Sequence, residues 1–212
     1  MLPFHHPFTS IVSGPTGCGK TNFVLKLVDH ANELIEPVPA KFVYYFAEYQ
    51  PHFKIYEKRI EFRRGKPKAG ELETLRDVLV IVDDLMSETD EDLANLFTRG
   101  SHHRNVSVIF LLQNFFLRNK YMRTISLNAQ YIVLFKNPRD KSQFIHLAKQ
   151  LYPRNSAYAG AIEAYTDATL EPYGYLLLDL RNEQDEDLRL RTNIFPGERQ
   201  IVYVPDAIKT DQ

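Results

Sequence analysis

Residues 14–21 read Gly-Pro-Thr-Gly-Cys-Gly-Lys-Thr, which fits G-x-x-x-x-G-K-[ST] at every fixed position. Few short segments constrain a fold as tightly. The glycines let the backbone curl until successive N–H groups converge on one anion. A helix that begins near Lys20 adds the positive end of its dipole. The loop therefore needs a strand leading in and a helix leading out, and its flanks provide both. Phe8 to Val12 reads as the strand, and Phe23, Val24, Leu27, Val28, Ala31, Leu34 and Ile35 recur at helical spacing until Pro37 and Pro39. Lys20 supplies a point charge for the β and γ phosphates of a nucleoside triphosphate, and Thr21 a hydroxyl for Mg²⁺. Gly14, Pro15, Thr16, Gly17, Cys18 and Gly19 contribute backbone, Cys18 as a small residue at a variable position.

Short apolar runs alternate with helical stretches through the rest of the chain, the signature of βαβ units and a parallel sheet. Strands are expected at 42–46, 78–82, 106–112 and 131–135, with a helix over 88–98. Asn137-Pro138 reads as the N-cap and first turn of a helix that Pro153 ends. Another helix is expected over 156–169. Residues 50–76 carry mixed helix and strand signals and stay unassigned. A late strand, 173–180, an acidic turn and the alternation Leu188-Arg189-Leu190-Arg191 suggest a terminal hairpin. With 212 residues and no linker or repeat, one domain is expected. What is expected is an α/β P-loop NTPase fold that resembles the RecA/FtsK-like type, with a mainly parallel central sheet flanked by helices and a C-terminal β-hairpin addition. Its core spans about 6–153 and its extension about 154–212.

A triphosphate site needs an acid at the end of a neighbouring strand to hold Mg²⁺ through its water shell. The run Val78-Leu79-Val80-Ile81-Val82 ends in Asp83-Asp84. Asp83 is assigned to the metal and Asp84 to polarising the attacking water, with helix capping as the alternative for either. A glutamate is the commoner base at the second position, and Asp84 is one methylene shorter. The strand 106–112 ends in Gln113-Asn114. If it lies between the other two strands, Gln113 can meet the γ-phosphate or the water.

The order of these parts is similar to that of the FtsK–HerA superfamily of DNA-pumping ATPases. The segments His6-Pro7-Phe8-Thr9, Phe46-Ala47-Glu48-Tyr49-Gln50, His102-His103-Arg104-Asn105, Leu112-Gln113-Asn114-Phe115-Phe116, Arg123-Thr124-Ile125-Ser126-Leu127-Asn128 and Phe135-Lys136-Asn137-Pro138-Arg139-Asp140 narrow the likeness. Over 6–153 the chain resembles the poxvirus-type genome-packaging ATPases, those of Polinton/Maverick elements and adintoviruses above all. The resemblance implies a ring of identical subunits that hydrolyses ATP with Mg²⁺ and pumps double-stranded DNA without sequence preference into capsid proteins. It also implies an arginine finger from the neighbouring subunit. Arg104 matches that position best and Arg99 second.

The net charge of −1 gives the whole molecule no long-range attraction to nucleic acid, so a DNA surface must be a local patch. Two clusters qualify: Lys54, Lys58, Arg59, Arg63, Arg64, Lys66 and Lys68, and Arg118, Lys120 and Arg123. Each can equally be a solvated face, and Phe115-Phe116 reads as packing before it reads as a base-stacking platform. His102-His103 lacks further ligands at zinc spacing. One cysteine excludes an internal disulfide framework, and neither a secretory signal nor a spanning run is evident. The expectation is an intracellular, non-membrane protein in the nucleus or at a cytoplasmic assembly site of a host cell, with virion association open. Two other readings remain: a P-loop kinase of a nucleotide or small metabolite, and a slow-turnover, nucleotide-dependent assembly factor.

Overall fold

The apolar runs of the sequence line up side by side in one sheet. The structure is a computed structural model that describes residues 2–83, 91–95, 97, 104–115 and 120–205. Its strands are β1 (Phe4–His5), β2 (Thr9–Ser13), β3 (Ile35–Glu36), β4 (Lys41–Phe46), β5 (Ile60–Arg64), β6 (Val78–Asp83), β7 (Val106–Leu112), β8 (Tyr131–Phe135), β9 (Tyr175–Asp179), β10 (Leu190–Thr192) and β11 (Ile201–Tyr203). Its helices are α1 (Lys20–Asp29), α2 (Ala31–Leu34), α3 (Ala69–Thr74), α4 (Glu91–Asn95), α5 (Lys120–Leu127), α6 (Ser142–Leu151) and α7 (Asn155–Ala168). Among the described residues, nine strands form a sheet in the order β11-β10-β9-β8-β2-β7-β6-β4-β5, and β1 pairs with β3 apart from it.

From β8 to β5 every neighbouring pair is parallel. β9, β10 and β11 add an antiparallel meander at one side. β6, β7 and β8 are buried at every position, as continuous apolar strands covered on both faces must be. One face packs on α1 through Phe23, Val24, Leu27 and Val28, with Phe53 and Phe195 alongside. The other is covered by Leu93, Met122, Ile125, Phe144, Leu147, Ala157 and Ala161 from α4, α5, α6 and α7.

The helix expected from Asn137-Pro138 begins later, at Ser142. Asn137 Oδ1 accepts from the amides of Arg139 and Asp140 at 3.2 and 3.3 Å, and Asp140 Oδ1 accepts from Ser142 N at 3.1 Å. Two side chains satisfy turn amides in succession, and the helix follows the second. The first long helix is likewise shorter than its periodicity, breaking at His30 before α2. The unassigned 50–76 region holds a 3₁₀ turn over Pro51–Tyr56, then β5 and α3.

The meander is fastened by a buried ion cluster that periodicity does not reveal. Asp179 is fully buried and accepts from Arg181 Nη2 and Arg191 Nη2, each at 2.8 Å. Arg191, 1% exposed, also donates to Leu2 O at 3.1 Å. Removing the carboxylate strands two guanidinium groups in the interior. Asp179→Ala is therefore expected to lose about 3–5 kcal/mol of stability in urea unfolding, a change too large for a surface pair.

Candidate nucleotide site

β2 ends at Ser13, and Gly14 N bonds Leu112 O at 3.0 Å, which anchors the loop to the end of β7. No side chain fits at Gly14, because a Cβ there would lie 2.6 Å from Cys18 Sγ and 2.7 Å from Phe135 Cβ. Gly17 and Gly19 take φ of 79° and 105°, a left-handed backbone that favours glycine. The ladder of α1 opens with Phe23 N on Gly19 O. The amides of Lys20, Thr21 and Asn22 lie ahead of it, at the positive end of the helix. Lys20 Nζ is drawn into the loop and donates to Gly14 O at 2.6 Å and Pro15 O at 3.1 Å. Burial raises the Cys18 thiol against the opposing pull of Lys20, so it is a protonated packing group at neutral pH.

β7 lies between β2 and β6, so the ends of all three strands open on the same side of the sheet. A cleft of about 760 Å³ there is lined by Thr16, Gly17, Gly19, Lys20, Thr21, Asp83 and Gln113. The fold thus brings the loop, the strand-end acid and the Gln113 position together. Asp84 and Arg99 lie outside the described residues, as do His102, His103, Phe116 and Arg118. Asp83 is 8% exposed and accepts from Tyr44 Oη at 2.7 Å. Burial, then the charge of Asp83, holds the Tyr44 phenol far above the ordinary tyrosine range. A cavity of triphosphate scale, lined by backbone amides, a lysine, a hydroxyl and a carboxylate, fits a nucleotide with a hard cation.

Sequence reasoning did not place Glu48, His52 and Tyr173 here, yet each lines the cleft. Glu48 puts a further carboxylate in it. Tyr173 has φ 64°, is 68% exposed and borders both the cleft and an adjoining groove of about 590 Å³. That groove runs past Asn22, Phe23, Phe135, Tyr175 and Phe195. The only sequence signal for Tyr173 was its place at the start of the late strand.

Arg104 is at the other pole of the sheet. Its carbonyl accepts from Asp77 N at 3.4 Å, just before β6 begins, and β7 carries the chain from there toward the loop. Seven strand residues span roughly 20 Å, beyond the reach of an arginine side chain. The first basic cluster is partly neutralised. Arg63 bonds Tyr45 Oη at 3.0 Å and Glu61 Oε1 at 2.6 Å and also pairs with Glu71, while Arg59 pairs with Asp29 at 3.3 Å. Lys41 and Arg63 lower the Glu61 carboxyl. Lys54, Lys58, Arg64, Lys66 and Lys68 are exposed. Phe115 is 5% exposed within the core, which makes it packing and not a base platform. No helix among the described residues is long and apolar enough to cross a membrane.

No family model matches this sequence, and no curated protein matches it. The fold is shared with a solved structure, the genome packaging NTPase B204 from Sulfolobus turreted icosahedral virus 2. Against its complex with ATP-gammaS the TM-score is 0.51 at 11% identity, covering 93% of this chain and 97% of that chain. Against its complex with AMP the TM-score is 0.50 at 12% identity, covering 85% of this chain and 94% of that one. At this identity the likeness is one of fold, and the chain has the α/β architecture of P-loop NTPases.

Proposed function

We propose that the chain is an ATP-hydrolysing motor of the FtsK–HerA type that drives double-stranded DNA into a capsid as a ring of identical subunits. One observation carries the reading: Lys20, Thr21, Asp83 and Gln113 line a single cleft, while Arg104 is held at the opposite end of the sheet. A kinase completes its site within one chain. A site whose matching arginine is carried at the opposite end of the sheet suits head-to-tail assembly, in which each subunit serves its neighbour. The packaging role also draws on the likeness to B204 and on the motifs shared with the packaging ATPases.

In this reading the loop amides and Lys20 grip the triphosphate, and the base lies in the groove beside Tyr173. Thr21 and Asp83 would hold Mg²⁺, which would supply neutralisation of the triphosphate's charge. Gln113 orients the water that adds to the γ-phosphorus as the β–γ bridging P–O bond breaks. Asp84, or Glu48 across the cleft, takes the water's proton. DNA is held by backbone contacts to exposed lysines and arginines, without base readout. Such a motor works with capsid proteins in the nucleus or at a cytoplasmic assembly site of an infected cell.

ATP hydrolysis by the purified protein, with and without double-stranded DNA, tests the proposal. DNA is expected to stimulate hydrolysis, and raised salt to remove the stimulation. Hydrolysis indifferent to DNA defeats the motor. Phosphoryl transfer to a small acceptor would make the chain a kinase, and tight binding without turnover an assembly factor.

A further inference from the structure

We propose that Tyr44 is a positioning residue of the metal site, its hydroxyl holding the carboxylate of Asp83 in the orientation that presents an oxygen to Mg²⁺. The inference rests on the nucleotide reading of the cleft and adds a residue that the loop and strand-end motifs do not contain.

Tyr44 lies on β4 beside β6, where Phe46 is in register with Asp83. Its hydroxyl donates to Asp83 Oδ2 at 2.7 Å. A phenol has one proton, and an ionised carboxylate can only accept. That bond ties down one oxygen of Asp83 and so sets the plane of its carboxylate, leaving the other oxygen for the cation.

The support is stiff. The Tyr44 ring is fully buried, 5.1 Å from Phe53 and 5.4 Å from Phe62 between centroids. It cannot leave its place without disturbing that cluster, so it holds Asp83 in one orientation. Groups of this kind, one bond removed from a metal, change metal affinity about 10–100-fold when lost.

The test measures binding, not turnover. A fluorescent ATP analogue, mant-ATP, is titrated into wild type and Tyr44→Phe, with EDTA and with Mg²⁺. The substitution keeps the ring and removes one oxygen. Metal-free affinity is expected to stay within about twofold, while the tightening produced by Mg²⁺ falls about 10–100-fold. Should Tyr44→Phe fail to fold by circular dichroism, 4-fluorophenylalanine installed at position 44 fills the hydroxyl's volume without donating, and the same loss is expected. An unchanged Mg²⁺ effect overturns the proposal. So does an equal fall with and without metal, which marks a purely structural role. If wild type binds no mant-ATP in either condition, the nucleotide reading itself falls, and that result is distinct from both.

Discussion

Lys20→Ala is expected to abolish ATP turnover, by roughly 10²–10³-fold at the least, the scale of removing one preorganised donor from developing charge. The side chain acts twice. With nucleotide present it is the only cationic group of the 14–21 loop, and the negative charge it meets grows as the β–γ bond breaks. It also clasps Gly14 O and Pro15 O at 2.6 and 3.1 Å, and so holds the curl of the backbone. Alanine loses both roles. The fold should survive, because two bonds to carbonyls at a half-buried position are worth only about 1–3 kcal/mol each. Lys20→Arg should not rescue turnover, since a planar fork cannot replace a compact ammonium in so tight a loop. Initial rates of phosphate release, paired with thermal melts, make the check. A Lys20→Ala protein that hydrolyses ATP at the wild-type rate removes the site from 14–21.

What the sequence disclosed, and what it hid, follows from burial. β6, β7 and β8 were legible because strands covered on both faces must be apolar throughout, as Val78-Leu79-Val80-Ile81-Val82 is. The loop was legible because its chemistry fixes residue types at fixed spacing. β5 was not, since an edge strand carrying Glu61, Arg63 and Arg64 resembles a solvated turn. The start of α6 was misplaced because an Asx turn and a helix cap use the same residue types. Tyr44 escaped notice for another reason. In Phe42-Val43-Tyr44-Tyr45-Phe46 each residue reads as core, and only pairing with β6 shows that one phenol meets Asp83 while its neighbour, Tyr45, meets Glu71. The Asp179 cluster was hidden similarly, its three members being ordinary hairpin polar residues until the meander brings them together. Sequence shows which residues can do chemistry; strand order decides which of them meet.

Strand order also sets the second large effect. Arg104→Ala is expected to lower turnover about 10³-fold or more while leaving the subunit's own cleft able to bind nucleotide. The reason is distance. Arg104 precedes β7, and the loop is tied to the far end of that strand through Gly14 N and Leu112 O. Within one chain the guanidinium cannot cover the roughly 20 Å between them, so any part it plays in hydrolysis belongs to an adjoining subunit. The backbone bond from Asp77 N to the carbonyl of residue 104 does not depend on the side chain, and a thermal melt of Arg104→Ala checks that the fold is kept. An arginine acting across subunits has a signature that no structural arginine shares. Subunits carrying Arg104→Ala keep a working loop but give nothing to their neighbour, and those carrying Lys20→Ala have a dead loop but keep the arginine. Mixed together, they place an intact arginine beside an intact loop at some contacts, and turnover should return in part although neither variant alone has any. Arg99→Ala in the same mixing assay is the comparator, since it occupies the other candidate position. Recovery with Arg104→Ala and none with Arg99→Ala identifies the finger, and the reverse pattern transfers the role. If neither mixture recovers, each site works without its neighbour, and the ring loses its mechanistic purpose.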